Sequence, residues 1–345
     1  MVLLDGKRIL ITGGTGSLGR KIVHRLLGGS LGTPQSITVF SRDEAKQHYM
    51  RVEYHKRHAL TDDIIYQNSR DLLRFVIGDM RDYWSVLQAV RNADVVIHGA
   101  ALKQVPSCEY FPDQAVATNV LGAENLARAV RESGSAIETV IGVSTDKACK
   151  PINVMGMTKA LMERLLIEAN IRASGTRFAC VRYGNVIASR GSVVPLFQEQ
   201  IAHGGPVTIT LKEMTRFLLS LDRAVDTVVA AIEGARPGEI YVPIVPAARV
   251  VDLAEALIDG RPIKMQYTGI RPGEKIHETL VSDEEAYRTA KRGEYYVVQP
   301  MLPELLPEAP GKPALTGEYS SAQTTLDCDG LREMLATQDE ADVQA

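Results

Sequence analysis

The segment TGGTGSLG, residues 12–19, restricts the possible fold of this chain more than any other feature. It directly follows an apolar run, RILIT, and Gly13, Gly16 and Gly19 recur at every third position. Glycines at this spacing allow a tight turn between a strand and a helix, and they let the backbone approach a pyrophosphate at the positive end of the helix dipole. The segment therefore predicts a dinucleotide site formed by Gly13, Thr15, Gly16, Ser17, Leu18 and Gly19.

Short apolar runs recur along the first half of the chain, with helical stretches between them. β-Branched runs that are bounded by turn residues and separated by amphipathic segments predict βαβ units and a parallel sheet. The predicted strands are RILIT (8–12), SITVF (36–40), LRFVIG (73–78), ADVVIHGA (93–100), ETVIGVST (138–145) and RFACVRYG (177–184). We therefore predict an α/β fold with a doubly wound parallel sheet of the Rossmann type.

The regular alternation fades after Gly184, which predicts a smaller C-terminal substrate-binding domain. Within it we expect small strands in 204–210 and 260–269, helices at 221–235 and 250–258, and a last helix at 326–335. The predicted division assigns 1–184, with 214–244 returning to it, to the dinucleotide-binding domain, 185–213 and 245–335 to the substrate-binding domain, and 336–345 to a disordered tail.

Composition and charge exclude several classes of protein. The formal net charge of -3 provides no basic surface of the kind that binds nucleic acid. The four cysteines lack the paired spacing of a zinc site or a disulfide framework, so we expect no metal and a reducing compartment. No apolar run approaches the length of a membrane span. These features predict a cytoplasmic protein with no membrane span and no nucleic-acid partner.

The end of the second predicted strand, FSRDEAK, indicates which dinucleotide the site prefers. An NAD site usually carries an acidic residue there for the ribose 2′-hydroxyl, whereas this chain has Ser41 and Arg42, and an arginine accommodates a 2′-phosphate. We therefore predict NADP; in the alternative, Asp43 or Glu44 binds NAD. The remaining predicted cofactor contacts are Lys46, Asp79, Met80, Ala100, Ala101, Lys103 and Asn119. Asp79 is placed to receive the adenine amino group or, alternatively, to cap a helix.

The motifs, taken in order, resemble those of the extended short-chain dehydrogenase/reductases. They are GGTGSLG, SRDEAK, GDMRD, HGAALKQVPSCE, STDKA, PINVMGMTK, RYGNVIASRGSV, MTRF and RPGEK. Within that group the chain is similar to the UDP-N-acetylglucosamine 4,6-dehydratases of bacterial surface-sugar biosynthesis, in unbroken order over roughly residues 5–335. The resemblance implies a UDP-sugar substrate, NADP as cofactor, and a homo-oligomer, either a dimer or a hexamer.

The resemblance also implies a reaction. A 4,6-dehydratase oxidises C4 of the hexose by hydride transfer to NADP, eliminates water across C5 and C6, and returns the hydride to C6. Elimination from the 4-ketone needs a base at C5 and an acid at O6, and the resemblance assigns these roles to Lys147 and Asp146. A lysine base must be partly neutral, so we expect burial beside the cationic nicotinamide to lower the pKa of Lys147. The alternative is a surface ion pair at a strand end.

One position departs from many members of this group, because Met155 stands where they have tyrosine. Met155 and Lys159 lie four residues apart on a predicted helix that begins near Asn153, and so they share a face. Lys159 can hold the nicotinamide ribose, but a thioether cannot accept the proton of the C4 hydroxyl. We therefore expect Thr145 to relay that proton to Asp146. In the alternative, Met155 fills a gap in an inactive NADP-binding sensor.

The resemblance places the UDP-sugar in a cleft of the C-terminal half. The implied substrate-binding residues are Lys103, Asn185, Arg190, Thr215, Arg271 and Glu274; the fork of Arg271 suits pyrophosphate, and Glu274 suits ribose hydroxyls. Ile244 stands where many relatives have lysine.

Taken together, these features lead us to expect a C5-inverting UDP-N-acetylglucosamine 4,6-dehydratase. The alternatives are a retaining 4,6-dehydratase, a UDP-sugar C4 epimerase and the NADP sensor.

Overall fold

The computed structural model describes residues 3–54, 68–173, 175–187, 193–306, 312–323 and 325–343. The strands are β1 Arg8–Thr12, β2 Ser36–Ser41, β3 Leu73–Ile77, β4 Val95–His98, β5 Thr139–Thr145, β6 Arg177–Tyr183, β7 Asn185–Val186, β8 Val207–Ile209, β9 Thr215–Leu219, β10 Ile240–Pro243, β11 Ala247–Arg249, β12 Met265–Tyr267, β13 Thr279–Val281, β14 Thr289–Arg292, β15 Tyr295–Val298 and β16 Tyr319–Ser320.

The α-helices are α1 Ser17–Leu27, α2 Glu44–Tyr54, α3 Tyr83–Val90, α4 Val105–Tyr110, α5 Pro112–Ala115, α6 Gly122–Glu132, α7 Val154–Arg172, α8 Val193–Ala202, α9 Leu221–Gly234, α10 Val250–Ile258, α11 Asp283–Ala286 and α12 Cys328–Val343. A π-helical segment covers Val116–Leu121, and 3₁₀ turns cover Asp146–Ala148 and Pro303–Leu305. Among the described residues, no helix combines the length and the apolar character that a membrane crossing requires.

Nine strands form the central sheet, in the order β14-β15-β10-β6-β5-β4-β1-β2-β3. Every pairing from β3 to β10 is parallel, and β15 pairs antiparallel with β10 and with β14. The order from β3 through β6 is that of a doubly wound fold, with the switch point between β1 and β4. The predicted fold class is therefore confirmed, and each of the six strands predicted in the first half is present.

The glycine turn sits at this switch point and needs glycine for two reasons. Gly13 follows β1 with a φ of +69°, a conformation that L side chains rarely adopt. A Cβ on Gly13 would lie 2.7 Å from the backbone nitrogen of Ala100, which follows β4, and a Cβ on Gly19 would lie 2.5 Å from Cα of Gly14. The turn therefore brings the chain after β1, the chain after β4 and the start of α1 into backbone contact.

The C-terminal half forms smaller sheets and also rejoins the central one. β7, β9 and β11 form one sheet, β8 pairs with β12, and β13 pairs with β16. The predicted division left 245–335 outside the dinucleotide-binding domain, yet β14 and β15 from this segment extend the central sheet. The edge of β10 explains this pairing, because a strand edge presents unpaired backbone groups that an antiparallel hairpin can satisfy.

The last helix extends beyond its predicted end. We predicted a helix at 326–335 followed by a disordered tail, whereas α12 continues to Val343. The tail sequence ATQDEADV contains no glycine or proline, and its alanine, glutamine and glutamate residues favour a helix once one has started. The predicted disorder of 336–345 is therefore wrong as far as Val343.

A buried ionic cluster joins the sheet to the segments on either side of it. Arg182 of β6 is 2% exposed and donates to Glu163 of α7 at 2.7 Å and to Glu285 of α11 at 2.7 Å. It also donates to the backbone oxygen of Leu280 at 2.9 Å. Burial opposes ionisation of Glu285, but the charge of Arg182 outweighs it and lowers the pKa of that carboxyl to about 2.

Replacing Arg182 should destabilise the whole fold. Arg182→Ala removes the guanidinium that pairs with both buried carboxylates and leaves Glu285 only the more distant Arg288 at 3.6 Å, so we expect it to lower the free energy of unfolding by about 3–5 kcal/mol. Arg172→Ala is the matched control, because Arg172 pairs with Glu168 at the surface and should change stability by less than about 1 kcal/mol. Urea denaturation measures both. Equal effects of the two variants would contradict a central role for the cluster.

Gly13 and Gly6 offer a second matched pair. Gly6 has a φ of +67° but no atom within 4 Å of the position of its missing Cβ. Gly6→Ala should therefore lower the free energy of unfolding by about 1 kcal/mol, the penalty of the backbone conformation alone. Gly13→Ala adds a collision with the backbone at Ala100, and we expect a total loss of about 3 kcal/mol or more. Denaturation curves that show equal losses would mean that the approach to Ala100 is not tight.

Candidate active site

A cavity of about 530 Å³ opens at the carboxyl ends of β1, β4, β5 and β6. Ligands of open α/β sheets bind in the crevice at this edge, next to the switch point. Most of the predicted catalytic, cofactor and substrate residues line it: Gly13, Gly16, Ser17, Leu18, Gly19, Ala101, Lys103, Thr145, Asp146, Lys147, Met155, Lys159, Asn185, Arg271 and Glu274.

Other predicted site residues lie elsewhere. Those that do not line the cavity are Thr15, Ser41, Arg42, Lys46, Asp79, Met80, Ala100, Asn119 and Thr215. Arg190 lies outside the described residues. Ile244, where the sequence departs from many relatives, does not line the cavity either.

The end of β2 carries one arginine and, directly after it, two acidic residues, Asp43 and Glu44. The hydroxyl groups of Ser41 and Thr15 lie 3.1 Å apart, which ties the glycine turn to β2. The Arg42 side chain is half exposed, and its guanidinium lies 4.0 Å from the carboxylate of Asp79. Asp43, the alternative partner of an NAD ribose, is already paired with Lys46 at 2.7 Å. This edge therefore presents a half-exposed cation, Arg42, beside an acid that is paired with Lys46.

Two predicted contact residues have most of their hydrogen-bonding capacity taken up by the protein. The side-chain amide of Asn119 accepts from the backbone nitrogen of Leu102 at 2.8 Å and donates to Leu102 O and to the Thr158 hydroxyl, both at 3.0 Å. The Thr215 hydroxyl lies 2.8 Å from Nδ1 of His277 and 2.7 Å from the Ser321 hydroxyl. Asn119 thus holds the loop after β4, and Thr215 ties β9 to its neighbours.

The carboxylate of Asp79 is likewise hydrogen-bonded within the protein, because the guanidinium of Arg81 in the same turn donates to it. The guanidinium of Arg81 donates to both carboxylate oxygens of Asp79, with the shortest contact at 2.6 Å. The hydrogen bond from Arg81 lowers the pKa of Asp79. The carboxylate remains about a quarter exposed, so it can still accept a further hydrogen bond.

The end of β5 carries a chain of hydrogen bonds into the cavity. The Thr145 hydroxyl donates to Oδ1 of Asp146 at 2.8 Å, and Nζ of Lys147 donates to the same oxygen at 3.0 Å. Asp146 is fully buried, and its Oδ2 has no hydrogen-bond partner among the described residues. This pair is therefore not a surface ion pair, and it leaves one carboxylate oxygen for a ligand.

A second carboxylate, which the sequence analysis missed, reaches Lys147. Oε1 of Glu278 lies 3.2 Å from Nζ of Lys147, and Glu278 is 2% exposed. Arg216 also lines the cavity, with Nε 3.9 Å from Oε1 of Glu278. Glu278 follows the RPGEK motif within RPGEKIHE, so the sequence placed it near the site without indicating its partner.

The protonation state of Lys147 differs from our expectation. Burial does lower the pKa of Lys147, as predicted, but the opposing charges of Asp146 and Glu278 outweigh burial. The pKa of Lys147 is therefore raised above its ordinary value, and the amine is charged between two carboxylates. Burial among the protein groups alone therefore does not lower the pKa of Lys147, and a lowering beside the cationic nicotinamide stays a prediction.

Met155 and Lys159 share a face of α7, as predicted, and both line the cavity. Asn153 caps the helix by accepting from the backbone nitrogen of Gly156 at 2.8 Å. Met155 packs in a small apolar cluster with Cys108 and Ala115. The thioether therefore completes a wall of the cavity and offers no acidic proton there.

In the part of the chain that the structure describes, the hydrogen-bond partners of Lys159 do not include a carboxylate. Its Nζ donates to the backbone oxygen of Val143 at 2.6 Å and contacts the sulfur of Met162 at 2.9 Å. Burial lowers the pKa of Lys159 to about 8. Lys159 is thus mostly charged at neutral pH and less firmly protonated than an exposed lysine.

The cavity contains one phenol that the sequence analysis did not consider. Tyr183, at the end of β6, is 7% exposed and lines the cavity. Burial raises the pKa of Tyr183 above its ordinary value. A phenol in this environment resists ionisation.

The far wall of the cavity presents unpaired acceptors. Oδ1 of Asn185 and Oε2 of Glu274 are buried without a hydrogen-bond partner among the described residues. The loop that carries Glu274 is held against α7 by Asn153, whose side chain donates to Gly273 O at 2.8 Å. Arg271 is exposed at the rim. Hydroxyl groups and an anion are the ligand groups that these residues can bind.

Comparisons with known proteins agree with this architecture. A protein-family model described as "Polysaccharide biosynthesis protein" matches residues 9–300. A UDP-glucose 4-epimerase of Rickettsia canadensis (strain McKiel) is 43% identical over 343 residues, which cover 96% of each chain. The X-ray structure of Pen from Bacillus thuringiensis is 32% identical, with a TM-score of 0.86, over 97% of this chain and 99% of that chain.

A more distant structure shares the fold. DesIV, a dTDP-glucose 4,6-dehydratase from Streptomyces venezuelae solved with NAD bound, is 22% identical, with a TM-score of 0.65, over 78% of this chain and 86% of that one. At this identity the likeness concerns the fold alone. Taken with the match over residues 9–300, these findings show that the chain belongs to the polysaccharide biosynthesis protein family, a group of nucleotide-sugar-processing enzymes with the extended short-chain dehydrogenase/reductase fold.

Proposed function

We propose that this protein is an NADP-dependent 4,6-dehydratase that converts UDP-N-acetylglucosamine into UDP-2-acetamido-2,6-dideoxy-4-hexulose. One observation carries the proposal: an acid and a base, Asp146 and Lys147, meet in the cavity, while position 155 holds methionine. Elimination needs such a pair, whereas simple hydride exchange at C4 does not. Inversion at C5 rests on the family resemblance alone.

The residues of the glycine turn fit a dinucleotide. The approach of Gly13 to Ala100 leaves no room for a side chain, and the first turn of α1 carries no acidic residue that would repel phosphate. Arg42 and Lys46 would hold the 2′-phosphate, Asp79 and Met80 the adenine, and Lys159 the nicotinamide ribose. The nicotinamide, when bound, supplies the chemistry of taking a hydride from C4 and returning it to C6.

Thr145 and Asp146 would handle the proton of the C4 hydroxyl. The Thr145 hydroxyl already donates to Asp146, so Thr145 can accept a proton from the substrate as it passes its own to the carboxylate. Asp146 then holds a proton that it can deliver to the departing C6 oxygen. This route uses no phenol, which is consistent with Met155.

Lys147 would remove the C5 proton and later return one. In the structure it is charged, and Asp146 is one of the two carboxylates that keep it so. Protonation of Asp146 removes that negative charge and lowers the pKa of Lys147. Oxidation at C4 would therefore favour loss of the ammonium proton of Lys147 to solvent, which the partly exposed side chain can reach, and leave a neutral amine as the base for the next step.

The substrate would be held by the far wall and the rim of the cavity. Arg271 and Arg216 carry the positive charge that a diphosphate requires, and Glu274 and Asn185 offer acceptors for hydroxyl groups. Lys103 lines the cavity between the two halves of the site. The predicted roles of Arg190 and Thr215 in substrate binding stay predictions.

A UDP-sugar C4 epimerase is the second candidate, because the curated relatives carry the name UDP-glucose 4-epimerase. Such an enzyme returns the hydride to C4 and has little use for an elimination pair.

We further propose a cytoplasmic homo-oligomer that acts in surface-polysaccharide biosynthesis. It has a dinucleotide-binding domain and a smaller substrate-binding domain divided as predicted, except for the hairpin of β14 and β15.

The first test is product analysis by mass spectrometry, with purified protein and UDP-N-acetylglucosamine in deuterated water. The dehydratase proposal expects a product that has lost one water and gained deuterium at C5, without net reduction of the cofactor. NMR couplings of that product would distinguish inversion from retention. An isomer of unchanged composition would instead support the epimerase.

Substitutions at β5 should separate the two half-reactions. Lys147→Met should still allow reduction of the bound cofactor on mixing with substrate, but lower water loss by about 10²–10⁴-fold, because the C5 base is gone. Thr145→Val should slow the cofactor reduction itself by about 10²-fold or more. Stopped-flow absorbance of the reduced nicotinamide and mass spectrometry measure the two steps.

Lys150→Met is the matched control for these variants. Lys150 lies outside the cavity lining and pairs with Asp283 and Glu318 at the surface, so this variant should retain both steps. Normal sugar interconversion by Lys147→Met would point to the epimerase. Unchanged cofactor reduction by Thr145→Val would remove Thr145 from the relay.

The side chain of Arg42 should determine whether the protein binds NADP more tightly than NAD. Arg42→Ala removes a charge that would face the 2′-phosphate, so the Kd for NADP should rise by about tenfold or more while that for NAD changes little. Arg51→Ala, which replaces an arginine of the neighbouring α2 packed on Phe75, is the control. Calorimetric titration measures both dinucleotides. Equal effects of Arg42→Ala on the two cofactors would contradict an NADP-selective site.

A further inference from the structure

Glu278 is a buried carboxylate in the cavity that the mechanism above leaves without a role. It directly precedes β13 and is 2% exposed. Its backbone is fixed by Ser321, which accepts from Glu278 N at 2.9 Å and donates its own backbone nitrogen to Glu278 O at 2.8 Å. The side chain is thus held at one place, with Oε1 3.2 Å from Nζ of Lys147.

The hydrogen bonding of Glu278 differs from that of the structural carboxylates nearby. Both oxygens of Glu163 and both oxygens of Glu285 accept hydrogen bonds from Arg182. Oε2 of Glu278, by contrast, is buried without a hydrogen-bond partner in the described part of the chain. Buried acceptors that serve only stability are normally satisfied, so an unsatisfied one in a cavity indicates a functional role.

The charged groups around Glu278 come from several elements. Lys147, from the 3₁₀ turn after β5, is the nearest cation, and Asp146 shares it at 3.0 Å. Arg216 of β9 lies 3.9 Å from Oε1. His277 precedes Glu278 in the chain, but its Nδ1 is directed to the Thr215 hydroxyl. Two carboxylates therefore flank one ammonium group, with a guanidinium at the outer side.

We propose that Glu278 is a positioning residue for Lys147: it shares the ammonium group with Asp146, directs Nζ into the cavity, and keeps the proton on the amine until Asp146 has itself taken up a proton. The role in turnover rests on the proposed function; the pairing itself does not. With both carboxylates charged, the amine is held as a cation. After Asp146 takes up a proton, Glu278 is the charged carboxylate of the pair that remains beside Lys147. The ammonium group of Lys147 then loses its proton more readily.

The test measures the amine of Lys147 directly, without relying on turnover. Purified protein is treated with a trace of an isotopically labelled acetylating reagent at a fixed, mildly alkaline pH, and peptide mass spectrometry reports the label at Lys147. The reagent reacts with neutral amines only. Glu278→Gln keeps the shape of the side chain but removes its charge, so labelling of Lys147 should rise about tenfold or more, equivalent to at least one unit of pKa.

Glu318→Gln is the matched control. Glu318 lies 2.7 Å from Nζ of Lys150, so this variant should raise the labelling of Lys150 and leave that of Lys147 unchanged. Glu278→Asp withdraws the carboxylate from Nζ and should give a smaller increase at Lys147; it also serves if Glu278→Gln does not fold, as judged by circular dichroism. Unchanged labelling of Lys147 in folded Glu278 variants, while Glu318→Gln affects Lys150, would overturn the proposal.

The pH dependence of water loss then separates this inference from the proposed function. If both hold, the limb of the profile that reports Lys147 moves to lower pH in Glu278→Gln, in step with the labelling. Increased labelling in a protein that releases no water from the sugar would support the pairing and contradict the dehydratase. Water loss by the unmodified protein, with labelling that Glu278→Gln does not change, would support the dehydratase and overturn the role of Glu278.

Discussion

The contact of Arg182 with Glu163 and Glu285 holds together the three parts of the chain that form the active-site cavity. Arg182 lies on β6, directly before Tyr183 and the loop to Asn185. Glu163 lies on α7, the helix that carries Met155 and Lys159, and Glu285 lies on α11, just beyond β13 and Glu278. A guanidinium buried between two carboxylates tolerates little displacement, because each lost contact would leave an unpaired charge out of water. The distances within the cavity depend on this restraint.

The end of β5 that lines the cavity contains the same kind of interaction in a different arrangement. Around Arg182 both carboxylates are fully hydrogen-bonded, whereas Asp146 and Glu278 each keep one buried oxygen unpaired beside Lys147. The first arrangement gives rigidity. The second leaves two carboxylate oxygens that a ligand in the cavity can reach, while the other oxygen of each group lies 3.0 or 3.2 Å from Nζ of Lys147.

Methionine at position 155 moves the centre of the site from the helix to the strand end. In place of a phenol beside Lys159, the helix contributes an apolar wall packed on Cys108 and Ala115. The polar chemistry is concentrated at Thr145, Asp146 and Lys147. These three residues are adjacent in sequence, and their hydrogen bonds are short, so proton transfer among them requires no rearrangement of the fold.

The sequence by itself determined the central sheet, the glycine turn and the acid–base pair. Strand and helix periodicity is local, and the need for glycine at position 13 and the adjacency of Asp146 and Lys147 are encoded within a few residues.

Only the tertiary structure decided what lies next to them. It brought Glu278 to Lys147, and the charges of Asp146 and Glu278 together raise the pKa of that lysine, whereas burial alone would lower it. It also committed Asn119 and Thr215 to internal hydrogen bonds. It also placed the hairpin of β14 and β15 on the central sheet. Each of these outcomes depends on which distant segment satisfies a buried charge, a polar side chain or a free strand edge, and that choice is made by packing of the whole chain rather than by any local pattern.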